Sequence, residues 1–356
     1  MYFLLSYLYR FIVAVRFWLY DHHILKQYTF SVPIISIGNI AVGGAGKTPM
    51  TIYLAKLLTK KNIKHVIVSR GYKKQVLGTI IVSDGRGNIV KSYKESGDEP
   101  LFIAQTLPTT PIVVGEKKQI AIYKAIKTFK PQVVLLDDAL QSYYIHKDAD
   151  IALFNCLHTK KQFYFLPYGL LRETASALLR SKLVIFTKHN LVTEEHTDDL
   201  QFYKIVDFLN KNKHPFITAN FNSFYQEYSI NKKSFLLTQY TELNSLPVVA
   251  FSGVGDSLSF NLLCNKYFTN ILKIIDFPNH HHYKKLKTFL KNYLKNIQNL
   301  PKGLVITHKD LIKLQDKDNS TLQWLHNKKI RVFVIQIETS ISNHQAIEKI
   351  IKNLGL

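Results

Sequence analysis

Cysteine is nearly absent from this sequence: its 356 residues include two, Cys156 and Cys264, and neither belongs to a CxxC pair. A disulfide framework needs several paired cysteines, and a cysteine-ligated zinc site needs closely spaced ones. The sequence therefore argues against both kinds of site. It fits a protein that works in a reducing compartment.

Acidic residues are also scarce: the sequence has 25 Asp and Glu and 47 Lys and Arg, which gives a formal net charge of +22. Such a surplus is typical of nucleic-acid binders, of proteins held to anionic membranes and of enzymes with anionic substrates. The basic residues are spread along the chain without a recognisable nucleic-acid-binding module, so we expect no nucleic-acid partner. A general bias toward Lys, Asn and Ile is the alternative explanation for part of the surplus. No segment indicates an obligatory protein partner.

The first 20 residues are almost wholly apolar and aromatic apart from Arg10 and Arg16. They lack the charged start and the small-residue cleavage site of a signal peptide. A spanning helix would place Arg10 near the middle of the bilayer, which is costly. We therefore expect an interfacial helix whose two arginines reach toward lipid phosphates. A buried core helix and a true span are the alternatives.

The rest of the chain alternates apolar, β-rich runs with helical patterns, which predicts an α/β fold with a mostly parallel sheet. The length suggests two domains. The first part has predicted strands at 32–38, 64–69, 111–114, 132–136, 151–154 and 183–187, predicted helices at 47–60, 99–106 and 116–129, and a predicted hairpin at 78–93.

A second α/β set follows a polar, Lys- and Asn-rich stretch at 190–245, and the domain boundary is predicted near His214-Pro215. We expect a membrane-associated helix (1–28), a first lobe (29–215) and a smaller second lobe (216–356), with a ligand cleft between the lobes. The second lobe has predicted strands at 247–252, 271–276, 303–307 and 331–336 and predicted helices at 284–297 and 343–353.

The strongest local signal is AVGGAGKT at residues 41–48, between an apolar run and a helical stretch. This is the strand–loop–helix context of a P-loop, in which backbone N–H groups surround phosphate oxygens. Lys47 is expected to reach the β- and γ-phosphates and Thr48 to ligate Mg²⁺. The predicted nucleotide-binding residues of the loop are Gly43, Gly44, Ala45, Gly46, Lys47 and Thr48.

Four further motifs carry candidate site residues. The apolar run 133–136 ends in Asp137-Asp138, a Walker B arrangement that can hold Mg²⁺, although a strand-end turn would look alike. Asp98-Glu99 begins a predicted helix, where one carboxylate can accept a proton and the other serve a metal; a plain helix cap is the alternative. Arg172-Glu173 lies in a Pro/Gly-containing loop and could bind phosphate or form an exposed ion pair.

Three consecutive histidines lie at 280–282. A single histidine that tunes a base is more plausible here than a zinc site, since adjacent residues do not converge on one ion.

The order of these motifs resembles that of the tetraacyldisaccharide 4'-kinase family. The matching stretches are WLYD (18–21), IGN (37–39), VGGAGKTP (42–49), SRGY (69–72), GDEP (97–100), LDD with LQ (136–141), LP with LRE (166–173), FSGV (251–254), FP with HH and Y (277–283), and Thr307 with Lys309-Asp310. The P-loop is generic, whereas the other elements in this order are highly specific. The resemblance runs from the first helix almost to the end of the chain.

The resemblance implies a RecA-like P-loop lobe joined by a hinge to a smaller α/β lobe. It implies transfer of the ATP γ-phosphoryl, with Mg²⁺, to the 4'-hydroxyl of tetraacyldisaccharide 1-phosphate at the cytoplasmic face of the bacterial inner membrane, giving lipid IV-A. Asp98 matches the catalytic carboxylate and His280 the histidine that tunes it. The implied metal ligands are Thr48, Glu99, Asp137 and Asp138, and further nucleotide-site positions are Gln141, Arg172 and Glu173.

Several residues depart from the family pattern. Asn279 stands where an Asp before the histidine is usual, which removes a charge that could hold the imidazole. Lys117 and Lys118 stand where an Arg near the phosphates is expected, and Lys118 can supply charge there but not a bidentate fork. The other departures are Ala139 for Gly, Ser142 for His and His308 for Glu. The rival interpretations are a P-loop NTPase that switches or drives a partner and a soluble small-molecule kinase. A third, a non-enzymatic membrane-binding module, fits poorly with two intact phosphate-site motifs.

Overall fold

The computed structural model describes residues 2–90, 92–192, 200–236, 245–278, 281, 283, 286–295, 300–316 and 320–356. Within them the strands form one 13-stranded sheet. In chain order they are β1 (Ile34–Asn39), β2 (His65–Ser69), β3 (Ile80–Asp84), β4 (Pro111–Val114), β5 (Val133–Asp137), β6 (Ala149–Asn155), β7 (Leu183–Thr187), β8 (Phe216–Ser229), β9 (Ser234–Leu236), β10 (Val248–Ser252), β11 (Ile271–Asp276), β12 (Gly303–Thr307) and β13 (Arg331–Ile341).

The strand order is β11-β10-β12-β13-β8-β7-β6-β1-β5-β2-β4-β3, with β9 beside β8. Neighbours are parallel except in the pairs β3–β4, β8–β13 and β8–β9. The central strands β1, β5 and β7 are buried along their whole length. Such strands need apolar side chains on both faces because helices cover both sides of the sheet. The predicted α/β class with a mostly parallel sheet is confirmed.

The α-helices cover the sheet and one further apolar helix precedes it. They are α1 (Tyr2–Asp21), α2 (Lys47–Lys60), α3 (Tyr93–Ser96), α4 (Asp98–Thr106), α5 (Lys118–Phe129), α6 (Phe202–Lys211), α7 (Ser257–Tyr267), α8 (Leu286–Lys295), α9 (His308–Leu314), α10 (Thr321–Asn327) and α11 (His344–Asn353). Every predicted strand is present with ends within two residues, except the last, which runs five residues further. The predicted helices are present too, although residues 284–285 and 296–297 of the helix predicted at 284–297 lie outside the described residues.

The predicted hairpin at 78–93 forms only in part. Its turn is present, with Gly85 and Gly87 at positive φ and the Arg86 N–H donating to Asp84 Oδ1 at 2.8 Å. However, β3 pairs along its length with β4, and a single bridge from Ser83 to Ile89 is what joins the two arms.

The sheet continues without a break across the predicted lobe boundary. Strand β8 begins at Phe216, pairs in parallel with β7, and then pairs antiparallel with β13 from Ala219 to Glu227. Helix α11, at the end of the chain, packs Ile347 and Ile351 into the core of the first lobe. The division at residue 215 stays a prediction, but the two lobes share both a sheet and a packed helix.

Helix α1 lies on the surface of the first lobe and buries little of itself. Phe3 and Phe17 touch Tyr168 and Tyr143 edge-on, with ring centroids 5.6 and 5.4 Å apart. Ser6 is its one buried residue, whereas Leu4 and Phe11 are 73% and 65% exposed. By length and composition, α1 is the one helix among the described residues that could cross a membrane. The exposed outer face argues against the alternative of a buried core helix.

The arginines of α1 differ from their expected orientation. The Arg10 guanidinium lies 5.5 Å from the ring centre of Phe165, and that of Arg16 lies 5.8 Å from Tyr143. Both therefore face aromatic rings of the first lobe rather than pointing away from it. A cation over an aromatic face gains electrostatic energy and keeps the opposite face of the helix apolar.

We predict that Phe333→Ala lowers the free energy of unfolding by about 3–5 kcal/mol, because it opens a cavity in a packed core. Phe333 is fully buried on β13 and contacts the rings of Tyr225 and Phe268. Chemical denaturation measures the difference, with exposed Tyr123→Ala as the matched control. Equal stabilities of the two variants would contradict this packing.

Candidate active site

Parallel pairing brings the phosphate-loop candidate and the acidic pair to one edge of the sheet. Strand β1 lies between β5 and β6, and Ile37 is in register with Asp137. The carboxyl ends of parallel strands meet at the same edge, where α/β proteins bind ligands. The loop at 41–48 and Asp137-Asp138 are therefore neighbours, as predicted.

The loop at 41–48 has the backbone that a phosphate cradle needs. Gly43 and Gly46 adopt φ values of 114° and 77°, which side-chain-bearing residues rarely reach. Helix α2 begins directly after Gly46, so its free N–H groups face the loop. Lys47 Nζ lies 3.3 Å from Asn39 Oδ1 and 3.6 Å from Asp138 Oδ1. The predicted lysine is thus in place beside the acidic pair.

The two carboxylates of the acidic pair have opposite electrostatic environments. Burial, together with the nearby charges of Glu99 and Asp138, raises the pKa of Asp137. Burial also acts to raise the pKa of Asp138, but Lys47, Arg172 and Lys118 outweigh it and hold that pKa at about 2. Asp137 accepts hydrogen bonds from Thr51 Oγ1 at 3.4 Å and Ser69 Oγ at 3.2 Å, which fix its side chain.

This arrangement fits a hard divalent cation whose other ligands are water molecules and phosphate oxygens. Thr48, Asp137, Asp138 and Glu99 offer oxygen donors, and a cation here would offset the charges of Glu99 and Asp138 that, after burial, raise the pKa of Asp137. In the described part of the chain no three His, Cys, Asp or Glu side chains form a closed metal cage. Mg²⁺ does not need one, since nucleotide-bound Mg²⁺ uses one or two protein carboxylates.

The predicted residues Gln141, Arg172 and Glu173 form one hydrogen-bonded chain. Arg172 Nη1 donates to Asp138 Oδ1 and to Gln141 Oε1, both at 3.2 Å. Gln141 Nε2 donates to Glu173 Oε1 at 2.7 Å, and Glu173 also pairs with Arg180. Arg172 is therefore held in the site rather than forming an exposed surface pair. Glu173 is 4% exposed and contacts Gln141 and Arg180.

Asp98 and Glu99 open α4 and pair with lysines of the second lobe. Lys313 Nζ lies 3.2 Å from Asp98 Oδ2, and Lys309 Nζ lies 2.6 Å from Glu99 Oε1. The charge of Lys309 lowers the pKa of Glu99, against the opposing effects of burial and Asp98. The alternative of a plain helix cap therefore does not describe these two residues.

Lys313 was missed in the sequence, where Lys309 and Asp310 stood out. Its side chain is 2% exposed, and its Nζ lies 3.8 Å from Asp310 Oδ1. Asp310 is in turn fixed by Thr307 Oγ1 at 2.7 Å and by the Tyr283 hydroxyl at 2.8 Å. The spacing of Lys309 and Lys313 was the available signal, since residues four apart share one helix face.

The predicted His280 and Asn279 lie outside the described residues. Tyr283, just beyond them, is buried against Asp310, next to Lys313 and hence near Asp98. The role of His280 therefore stays a prediction.

The comparisons with known proteins agree with this geometry. The family model described as tetraacyldisaccharide-1-P 4'-kinase matches residues 1–355. The tetraacyldisaccharide 4'-kinase of Aquifex aeolicus is 30% identical over 348 residues, covering 97% of this chain and 96% of that protein. Its counterpart in Flavobacterium psychrophilum is 30% identical over 318 residues, covering 88% and 86%.

A solved structure shares the fold as well. The crystal structure of LpxK from Aquifex aeolicus in complex with ATP superposes with a TM-score of 0.71 at 29% identity, covering 98% of this chain and 97% of that one. The chain belongs to the tetraacyldisaccharide 4'-kinase family. It is therefore a kinase of lipid A biosynthesis.

In this family member Lys118, which was predicted to supply charge near the phosphates, hydrogen-bonds backbone carbonyl oxygens. Lys118 is 5% exposed, and its Nζ donates to the carbonyl oxygens of Asp137, at 2.9 Å, and Asp138. Burial lowers its pKa to about 8. Asp138 has a φ of 46°, so these bonds hold the turn that presents the acidic pair.

The second lobe of the kinase also contacts the phosphate loop, through Asp256. A Cβ added to Gly44 would lie 2.6 Å from Asp256 Cβ. The Asp256 carboxylate pairs with Lys188 and accepts from Asn155 Nδ2 at 2.8 Å. Burial acts to raise the pKa of Asp256, but Lys188 outweighs it and holds that pKa at about 2. No local sequence pattern predicts this pair, because its members lie on loops of different lobes.

His158 lies beside this pair and makes stability depend on pH. It is 5% exposed, and burial, with Lys188 adding to the effect, lowers its pKa from 6.5 to about 4. The folded protein therefore disfavours the protonated ring. The contribution of neutral His158 to the free energy of unfolding is complete above pH 6.5 and is lost as the pH falls toward 4. The loss amounts to about 3 kcal/mol at most.

We predict that His158→Leu removes this part of the decline in the free energy of unfolding between pH 6.5 and 4. Denaturation curves across that range measure it. The exposed His326→Gln variant should keep the wild-type profile. Parallel profiles for His158→Leu and the wild type would show that His158 is not the group responsible.

Proposed function

We propose that this kinase transfers the γ-phosphoryl group of Mg²⁺-bound ATP to the 4'-hydroxyl of tetraacyldisaccharide 1-phosphate at a membrane surface, which gives lipid IV-A. The observation that carries the site assignment is the approach of Lys47 to Asp138, 3.6 Å apart. Glu99 of α4 is close enough for its charge to interact with that of Lys47. A phosphate-binding lysine, a metal-binding acidic pair and a candidate base then share one edge of the sheet.

Glycine-rich backbone and Lys47 would hold the phosphates of ATP. Thr48, Asp137 and Asp138 would hold Mg²⁺, with Glu99 beside them, and the ion would neutralise charge on the β- and γ-phosphates. Lys47 would exchange its contact with Asp138 for a phosphate oxygen. Arg172, 3.2 Å from Asp138, is placed to offset charge on the transferring group.

Asp98 would accept the proton of the attacking 4'-hydroxyl. Its contact with Lys313 fixes the orientation of the carboxylate, so Lys313 serves as a positioning residue. Because Asp98 belongs to the first lobe and Lys313 to the second, the two lobes together set the geometry of the base. Closure around the acceptor would also exclude water and so limit hydrolysis of ATP.

We predict that Asp98→Asn lowers the rate of phosphoryl transfer by about 10²–10⁴-fold, the usual contribution of a general base. Lys47→Ala should cost more, since the reaction depends mainly on electrostatic stabilisation. Transfer of label from γ-labelled ATP to the lipid in detergent micelles measures both effects. The exposed Lys60→Ala variant is the control, and full activity of Asp98→Asn would exclude Asp98 as the base.

Helix α1 supports the placement at a membrane surface. Its outer face carries Leu4, Leu8 and Phe11, each more than half exposed, and its inner face touches the first lobe. Apolar side chains in such a row would enter the boundary of headgroups and acyl chains. For a lipid substrate the relevant leaflet is the one that contains it, and we propose the cytoplasmic face of the bacterial inner membrane.

We predict that Leu4→Asp with Phe11→Asp reduces binding to anionic vesicles by at least tenfold, since two charges would have to enter the apolar boundary. Co-sedimentation with vesicles measures this. The matched control is Leu77→Asp with Tyr123→Asp, because both residues are exposed apolar side chains elsewhere on the first lobe. Equal loss in both double variants would show that α1 is not the membrane contact.

A further inference from the structure

The phosphate loop is held by buried polar side chains at the ends of β6 and β7. Thr187 Oγ1, at the end of β7, donates to the Ala45 carbonyl at 3.0 Å. Asn155 Nδ2, at the end of β6, donates to the Gly44 carbonyl at 3.5 Å. Thr187 and Asn155 are 0% and 2% exposed. Two successive carbonyl groups of the loop are therefore turned toward these strand ends.

This orientation decides where an N–H group of the loop points. The C=O and N–H of a planar trans peptide point in opposite directions. The peptide between Ala45 and Gly46 has its oxygen on the Thr187 hydroxyl, so its N–H is directed to the opposite side, as a donor to phosphate must be. The Ala45 N–H is used within the loop, since it donates to the Gly43 carbonyl at 2.9 Å. The shape of the phosphate cradle thus depends on the contacts that hold its carbonyl groups.

The second lobe packs directly against the same loop. A Cβ added to Gly44 would lie 2.6 Å from Asp256 Cβ, and one added to Gly46 would overlap the ring of Phe221. Surfaces packed this closely transmit displacement, because no space is left to absorb it. A shift of the chain at Asp256 would therefore shift the phosphate loop.

The chain at Asp256 is fixed by its own carboxylate. This group pairs with Lys188, accepts from Asn155 Nδ2 at 2.8 Å, and accepts from the N–H and hydroxyl of Ser259 at 3.1 and 2.8 Å. The side chains of Asp256 and Lys188 are 13% and 5% exposed. Lys188 directly follows Thr187, and Asn155 contacts both Asp256 and the loop. One buried ion pair therefore ties the second lobe to the residues that orient the loop.

We propose that Asp256 is a positioning residue for the phosphate loop, through which the second lobe helps to set the affinity for the phosphates of the nucleotide. Lys188 holds the Asp256 carboxylate, and Asp256 in turn supports the loop at Gly44. The proposal rests on the proposed function, in which this loop binds the β- and γ-phosphates of ATP. A nucleotide that lacks those phosphates gains nothing from the contact.

The test compares the Kd values of Mg²⁺-ATP and of AMP, measured on the full chain by competition with a fluorescent ATP analogue. The wild type prefers ATP, because AMP lacks the phosphates that the loop binds. Lys188→Met with Asp256→Ala removes both charges of the pair, so that no buried charge is left alone. This double variant lowers the preference for ATP over AMP by about tenfold, the usual effect of weakening one charge-assisted hydrogen bond. The Kd of AMP changes less than twofold.

Two further variants separate positioning from a general loss of structure. Lys188→Arg keeps a cation beside Asp256 and keeps the wild-type preference for ATP. Lys94→Met with Asp316→Ala is the matched control, because it removes another ion pair between the two lobes, 3.3 Å long, from α3 to the chain just after α9. The control also keeps the wild-type preference.

Three outcomes would overturn the proposal. One is an unchanged preference for ATP in the Lys188→Met, Asp256→Ala variant. Another is an equal rise of the Kd values of ATP and AMP in that variant, which would indicate a disturbed site rather than a displaced loop. The third is an equal loss of preference in the Lys94→Met, Asp316→Ala control, since any loosening of the lobes would then have the same effect.

Failure of the proposed function has a different signature. A wild type that binds ATP and AMP equally would show that the loop does not hold the β- and γ-phosphates, and both proposals would fall. A wild type that prefers ATP leaves the nucleotide site standing and lets the variants decide the role of Asp256.

Discussion

The close parallel packing of β1 against β5 is the constraint on which the site depends. The chain that follows the acidic pair passes directly over Gly38, where an added Cβ would lie 2.6 Å from Leu140 Cβ. This approach sets the positions of Asn39 and Lys47 on one side and of Asp137 and Asp138 on the other. A side chain at position 38 would separate the two halves of the nucleotide site, although it would touch neither.

The acidic groups that such packing buries need cations, and these come from both lobes. Lys118 and Arg172 approach from the first lobe, and Lys309 and Lys313 from the second. Breaking a buried ion pair is costly because one charge is left without a partner. The lobes are thus joined by the same contacts that orient Asp98, in addition to the shared sheet. Part of the basic surplus of the chain has this internal use.

Much of the fold follows from the sequence because buried parallel strands are continuous apolar runs. The phosphate loop was predictable from its glycines, and the acidic pair from the apolar strand before it. Strand β8 was not found, since its outward positions are polar and it lies in a Lys- and Asn-rich stretch. The long-range pairs of Asp98 with Lys313 and of Asp256 with Lys188 were also missed, because no local pattern reports which loops meet. Motif order predicted the family. The three-dimensional structure was needed to show that Lys118 hydrogen-bonds backbone carbonyls and that Glu173 contacts Gln141 and Arg180.

The most direct test of this account is ³¹P NMR of the lipid made by the purified protein from Mg²⁺-ATP and tetraacyldisaccharide 1-phosphate. The account predicts a second phosphomonoester signal that couples to the proton at the 4' position. The appearance of inorganic phosphate with an unchanged lipid spectrum would contradict it, since the nucleotide site would then serve hydrolysis rather than transfer to the sugar.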